Sequence, residues 1–342
     1  MPDVTIYTLA EELNMSPSMV SRAFNPDARI NEEKRKTVLR AAEKYNFSPN
    51  KFASRLSLKP VKIGVLLNSN FEVNTKKMLA GVDEAYSRLK DYKINYDITV
   101  LNHDIHKFED YVSAIEKYKS YDGVCLAGFS AERYTPLVNE LYKSNPNIAQ
   151  VQATNRNVEF LIESRHNEEV ASSLAAEFLG NCLRQSERKN VLLFTGNRES
   201  ALHAVAEKAF FAACKELGMT VVDSVDMKDN EKYLSEILPS VFAKNKDTAD
   251  AIYITSGFSL SLCRYLEENE ISIPFVAFDV YDEIKKYMEK GVISAAISQN
   301  VTKQMETAFE KLARYIIAGE ECEKTVFTDV QLVLKSNIHQ FE

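Results

Sequence analysis

From Val61 onward the chain alternates short β-rich runs with amphipathic helices, and that alternation restricts it to a parallel α/β architecture. Strand candidates fall at 63–67, 96–101, 123–126, 148–151, 191–194, 220–225, 251–254, 275–278, 295–297 and 326–334. Helical stretches such as 78–89, 170–183, 204–217 and 305–317 separate most of them. Ten strands overfill one small sheet, and the units fall into two similar halves, 61 to about 160 and about 161 to 290, so two lobes are expected. The length agrees, because 342 residues is two to three times a typical domain. In open parallel sheets the ligand crevice lies beyond the carboxyl ends of the strands. The residues there are 68–71, Gly128-Phe129-Ser130, Asn155-Arg156, Gly196-Asn197-Arg198, Ser256-Gly257-Phe258, Asp279 and Gln299-Asn300. Any one Gly or Ser of this set serves equally well to end a strand or cap a helix. Together they describe a cleft between lobes.

Charge divides the chain at one boundary. Residues 1–60 carry 10 Lys/Arg against 7 Asp/Glu, net +3, which leaves 32 against 42, net −10, for the rest of a chain whose total is −7. A basic head on an acidic body suits a DNA-binding module, since phosphate neutralisation needs cations only at the contact surface; a chance distribution gives the same arithmetic. The 5 cysteines are scattered, odd in number and never spaced as CxxC, so reduced thiols are expected rather than a disulfide frame or a zinc site. No run of 18 apolar residues occurs, and Met1-Pro2-Asp3-Val4-Thr5 lacks a basic start and apolar stretch, so a cytoplasmic protein without a membrane span is expected.

Three short helical patterns fill the head. Thr5 can cap a first helix with Leu9, Ala10 and Leu13 inward, ending at Asn14, a residue that tolerates a left-handed turn. Ser16 as N-cap and Pro17 at N1 start a second helix to about Phe24, with Val20 and Ala23 inward. A third begins at Asn31, with Glu32 and Glu33 in its first turn and Val38, Leu39, Ala42 and Tyr45 inward. Two helices joined by a tight turn read DNA by laying the second in the major groove, which needs short polar and cationic groups on its outer face. Ser18, Ser21 and Arg22 meet that need; a plain three-helix bundle with a solvated face has the same pattern.

Thr5-Ile6-Tyr7-Thr8-Leu9-Ala10, Met15-Ser16-Pro17-Ser18-Met19-Val20-Ser21-Arg22-Ala23-Phe24-Asn25 and Tyr45-Asn46-Phe47-Ser48-Pro49-Asn50 together resemble the head of the LacI/GalR family of bacterial repressors, over residues 4–58 without gaps. The resemblance implies phosphate contacts at Ser16, Ser21, Asn25 and Arg29 and base contacts at Pro17, Ser18 and Arg22, within a DNA-binding set completed by Thr5, Asn50, Ala53 and Leu56. Thr8 stands where the family usually has an acid. Asn50-Lys51-Phe52-Ala53-Ser54-Arg55-Leu56-Ser57-Leu58 matches the family's hinge segment, which folds when two copies pair over DNA and which would push Leu56 into the minor groove. Leu56 and Leu58 would otherwise staple a linker onto the body.

The body resembles the type I periplasmic sugar-binding fold that the family carries. Its motifs are Phe275-Val276-Ala277-Phe278-Asp279 and Ile297-Ser298-Gln299-Asn300. The resemblance implies an Asp279 that accepts from neighbouring sugar hydroxyls and a Gln299 that donates and accepts, a pair suited to a polyol or pyranose. With no Trp, stacking on a sugar face falls to Phe71, Phe129 or Phe258. Three departures appear: Ala206 before Phe210 replaces a family Arg, Ser256-Gly257 replaces Asn-Asp, and Gln152 replaces an Asp. These departures point either to an unusual ligand or reoriented sugar, or to a replacement cation or donor from Arg156, Arg198 or His203. The implied effector set is therefore Asn70, Phe71, Phe129, Arg156, Arg198, His203, Ser256, Phe258, Asp279 and Gln299.

No GxSxG elbow, P-loop or GxGxxG turn occurs; His103 and His106 are spaced i, i+3 with Asp104 between, but they lie where a strand ends and a loop begins, which favours a solvated loop over a metal site. No enzyme activity, catalytic residue, metal or cofactor is expected. The expectation is an all-α helix-turn-helix head, residues 1–49; a hinge helix or linker, 50–60; and a two-lobed α/β body with parallel sheets, 61–342, for effector binding and dimerisation. The lobes would comprise 61–160 plus 291–320, and 161–290 plus 321–335. The partners would be double-stranded DNA at a pseudo-palindromic operator, a carbohydrate effector and a second copy of the chain. The alternatives are an effectorless or activating regulator and a cytoplasmic sugar-binding receptor with no DNA function.

Overall fold

Side-chain caps decide where the first helices begin. The computed structural model describes residues 5–24, 28–45, 47, 59–153 and 157–341, and it divides the chain into two units, Met1–Lys59 and Pro60–Glu342. In the first unit Thr5 Oγ1 accepts from the Thr8 N–H at 3.2 Å, while Thr8 Oγ1 accepts from the Thr5 N–H at 2.6 Å. This reciprocal box satisfies two of the orphan donors at the start of α1 (Ile6–Glu12). Asn14 turns the chain with φ 53°. Ser16 Oγ accepts from the Met19 N–H at 3.3 Å and Pro17 fills N1 of α2 (Pro17–Ala23). Asn31 Oδ1 accepts from the N–H groups of Glu33 and Lys34 to open α3 (Glu32–Lys44).

The three helices bury Leu9, Ala10, Val20, Ala23, Val38 and Ala42 against one another. Leu39 departs from expectation: it is 43% exposed. The buried positions Val38 and Ala42 set the inward stripe, and Leu39 lies about 100° round the helix from Val38.

The described residues of the second unit form two six-stranded sheets. One runs, edge to edge, β11 (Thr325–Thr328), β5 (Ile162–His166), β4 (Ile148–Val151), β3 (Gly123–Ala127), β1 (Val61–Asn68) and β2 (Ile94–Leu101). The other runs β12 (Gln331–Val333), β10 (Ala295–Ser298), β9 (Phe275–Phe278), β8 (Ala251–Ile254), β6 (Asn190–Thr195) and β7 (Thr220–Asp226). β10 and β12 pair antiparallel; the other neighbours are parallel. Central strands such as β1, β3 and β8 are apolar along nearly their whole length, as burial on both faces requires. In the first lobe α4 (Glu72–Leu89) packs along α12 (Val301–Ala318), which also crosses β3, β4 and β5. In the second, α7 (Glu168–Cys182) packs along α8 (Ala201–Glu216).

Gly81 allows the α4–α12 approach. A Cβ there would stand 2.3 Å from the Thr302 carbonyl oxygen and 2.9 Å from the Glu306 nitrogen, both backbone atoms that cannot rotate aside. Gly81→Ala is expected to cost about 1–3 kcal/mol through helix separation, read as a lower urea midpoint at unchanged slope.

The lobe boundaries expected from the sequence require correction. Residues 162–166 form β5 of the first sheet rather than part of the second lobe, 295–298 form β10 of the second, and 326–334 is not one strand. It divides at Asp329-Val330 into β11, parallel to β5, and β12, antiparallel to β10. β5 escapes a hydrophobicity pattern because its Ile-Glu-Ser-Arg-His sequence buries charge. Arg165 Nε lies 3.1 Å from Glu163 Oε2, and its guanidinium also reaches Glu168 at the start of α7. Burial pushes both carboxyl groups up, against the opposing pull of Arg165. The chain therefore passes between lobes at 166–168, 298–301 and 328–331.

Candidate functional site

The strand ends of both lobes open onto one cleft of about 960 Å³, counting space continuous with solvent. Asn70, Phe71, Ser130, Arg133 and Gln152 line it from the first lobe, and Asn197, His203, Asp229, Ser256, Phe258 and Asp279 from the second, with Gln299 at a crossing.

Asp279 follows β9 in a left-handed conformation, φ 64°, fixed by its N–H donating to the Ile297 carbonyl at 2.8 Å. Gln299 Nε2 donates to both Asp279 carboxylate oxygens at 3.0 Å. Gln152 Nε2 donates to Gln299 Oε1 at 3.1 Å, and Asn74 Nδ2 donates to Gln152 Oε1 at 3.0 Å. A relay of amides thus runs from α4 in the first lobe to Asp279 in the second. Burial raises the Asp279 carboxyl pKa, opposed by Lys77 and the Gln299 hydrogen bonds.

A second polar centre joins α8 to the turn after β7. His203 Nε2 lies 3.1 Å from Asp229 Oδ2. Ser256 Oγ donates to Asp229 Oδ1 at 2.6 Å, and the Asn197 N–H donates to Oδ2 at 3.0 Å. Burial opposes charge on both partners, but their attraction wins: Asp229 is held well below the carboxylate range and His203 is raised above its ordinary value. Behind them His166 is fully buried, and burial, with Arg165 and His203 nearby, pushes it down to about 3.

Of the effector residues expected from sequence, Asn70, Phe71, His203, Ser256, Phe258, Asp279 and Gln299 line the cleft. Two do not. Phe129 is buried in the first lobe, 5.2 Å from the Tyr134 ring and 6.2 Å from that of Tyr111, because Gly128 at φ 78° turns the chain and leaves Ser130 facing the cleft. Arg198 faces Glu207, with contacts of 2.7 and 3.1 Å, and the Ser224 carbonyl at 3.1 Å. Arg156 lies outside the described residues, as do Asn25, Asn50, Ala53 and Leu56 of the head. Asp229 and Arg133 were not anticipated. Asp229 lies just past the end of β7, at the carboxyl end of a strand like the other cleft residues; Arg133, exposed with its guanidinium 4.9 Å over the Tyr134 ring, carries no sequence signal. His106 Nδ1 accepts from the Asn102 N–H of its own turn at 3.0 Å, and His103 Nε2 lies 3.2 Å from Asn70 Nδ2. Among the described residues no cluster of three His, Cys, Asp or Glu is arranged to hold a metal ion, and no helix is long and apolar enough to cross a membrane.

The periplasmic binding protein domain family matches residues 65–321. Catabolite control protein A of Priestia megaterium is 24% identical over 286 residues, covering 80% of each chain. The HTH-type transcriptional regulator RegA of Clostridium saccharobutylicum is 24% identical over 283 residues, covering 79% of each. The chain is a LacI/GalR-family protein with a periplasmic binding protein domain. The fold of this LacI/GalR-family chain is also that of GanP, a glucose-galactose binding protein from Geobacillus stearothermophilus, with a TM-score of 0.72 at 17% identity over 82% of this chain and 99% of that one. In this LacI/GalR-family chain Asp229 engages His203 at the cleft wall, and Glu207 holds Arg198 outside the cleft.

Proposed function

We propose that the chain is a DNA-binding transcriptional repressor, acting in the cytoplasm as a homodimer on a pseudo-palindromic operator and controlled by a carbohydrate held between its lobes. The observation that carries the DNA assignment is the outer face of α2. Val20 and Ala23 anchor the helix inward, while Pro17, Ser18, Ser21 and Arg22 are exposed along it, with Ser16 and Arg29 exposed beside it. Short hydroxyls and one guanidinium on a seven-residue helix suit base edges and phosphates in a major groove. A symmetric pair of such heads matches an inverted repeat.

The effector assignment rests on Asp279 with Gln299 and on the amide-rich walls around them, which supply both donors and acceptors for hydroxyl groups. Coupling requires that the effector bind the two lobe arrangements unequally. Nuclease footprinting of the purified protein on DNA flanking its own gene tests the first part; protection of an inverted repeat is expected, and absence of any protected repeat overturns it. A thermal-shift panel of sugars and sugar phosphates tests the second. A true effector at a hundred times its dissociation constant adds about 2.7 kcal/mol of stability.

A further inference from the structure

We propose that Phe71 is an internal ligand: carried by the first lobe, its ring occupies an aromatic slot of the second, so the chain closes its own cleft and an effector that uses this slot must displace Phe71. Phe71 lies between β1 and α4, yet its side chain packs against the second lobe's hydrophobic core. Its ring centroid is 4.9 Å from that of Phe258 and 5.5 Å from that of Tyr281, the latter edge-on. The Tyr281 hydroxyl donates to the Gly257 carbonyl at 3.0 Å, which fixes one wall of the slot. The other wall is the bare backbone of Gly257, where a Cβ would stand 2.6 Å from the Phe71 ring. Val73 follows Phe71 into the same core.

Polar contacts surround this plug. Lys77 Nζ donates to the Val280 carbonyl at 2.7 Å, Asn70 Nδ2 to the Asp229 carbonyl at 3.0 Å, and the Ser130 and Ser200 hydroxyls meet at 2.7 Å. Each bond joins the two lobes, and all arise within one chain. Closure stabilised this way does not wait for a small molecule. A ligand that uses the aromatic slot competes with Phe71 and favours the open arrangement, whereas one confined to the polar half of the cleft leaves Phe71 seated.

The inference rests on the reading of this cleft as the effector site, but on no property of the head. Its test is hydrogen exchange and small-angle scattering of the full chain without added ligand. Phe71→Ala, which removes the plug, and Gly257→Ala, which fills the slot, are both expected to enlarge the radius of gyration. Both should also speed amide exchange at residues 228–231 and 256–259 by roughly tenfold, the scale of one aromatic contact. Circular dichroism verifies folding, and Phe71→Leu, which keeps apolar bulk without the ring, replaces the alanine variant if that one is unfolded. Wild-type protection and dimensions in the variants overturn the inference, as does a wild type already as expanded as Phe71→Ala. Loss of operator binding changes none of these readings, so the two proposals fail separately.

Discussion

Asp229→Ala is expected to destabilise the body by about 3–5 kcal/mol near pH 6, because it removes one member of a mostly buried ion pair and strands its other partners. His203 and Asp229 side chains are only 12% and 17% exposed, so solvent screening does little to soften the loss. The Ser256 hydroxyl and the Asn197 N–H lose their acceptor in the same step. Asp229→Asn keeps an oxygen for one donor and is expected to cost less. Urea midpoints of the three proteins measure the order; an alanine variant as stable as wild type would show that the pair carries no net stability.

The pH dependence has a definite sign. His203 is raised above its ordinary 6.5, so its contribution is complete below that value and fades as pH rises through the raised one. Asp229 is depressed below 3.8, so its contribution is complete above 3.8 and fades as pH falls through the depressed value. The stability gap between wild type and Asp229→Ala should therefore be widest between 3.8 and 6.5 and shrink on the alkaline side. A gap that widens above neutrality would contradict the pairing.

Much of this arrangement was legible because local chemistry decided it. Thr5, Ser16 and Asn31 cap the three head helices through their own side chains, and the apolar runs of β1, β3 and β8 follow from two-sided burial. What escaped depends on distant partners. β5 is a strand whose charged side chains are satisfied by each other and by Glu168, so no hydrophobic alternation marks it. Phe71 and Phe129 look equivalent in sequence, each at a strand end. The left-handed Gly128 sends Phe129 into its own lobe, while Phe71 crosses to the other. Asp229 is placed by consecutive left-handed residues, Lys228 at 56° and Asp229 at 48°, a turn that composition does not announce. Arg198 has the charge expected of a ligand anchor, but Glu207, inside the α8 helix that follows it, claims it.

The head offers the sharpest separation of effects, since two arginines a few residues apart are assigned different work. Arg22 projects from α2, whose face meets base edges in the proposed complex, and a bidentate guanidinium–guanine contact contributes about 1–3 kcal/mol of discrimination. Arg22→Ala should therefore narrow the ratio of operator to random-sequence affinity by roughly tenfold to a hundredfold, with non-specific binding much less affected. Arg29 lies beyond α2, exposed and assigned to phosphate. Arg29→Ala should weaken operator and random DNA alike and reduce the magnitude of the slope of log affinity against log salt by about 1. Both measurements come from one titration series at several salt concentrations. Equal loss on operator and random DNA from Arg22→Ala would remove α2 from the groove, because a side chain that touches only phosphates cannot distinguish the two duplexes.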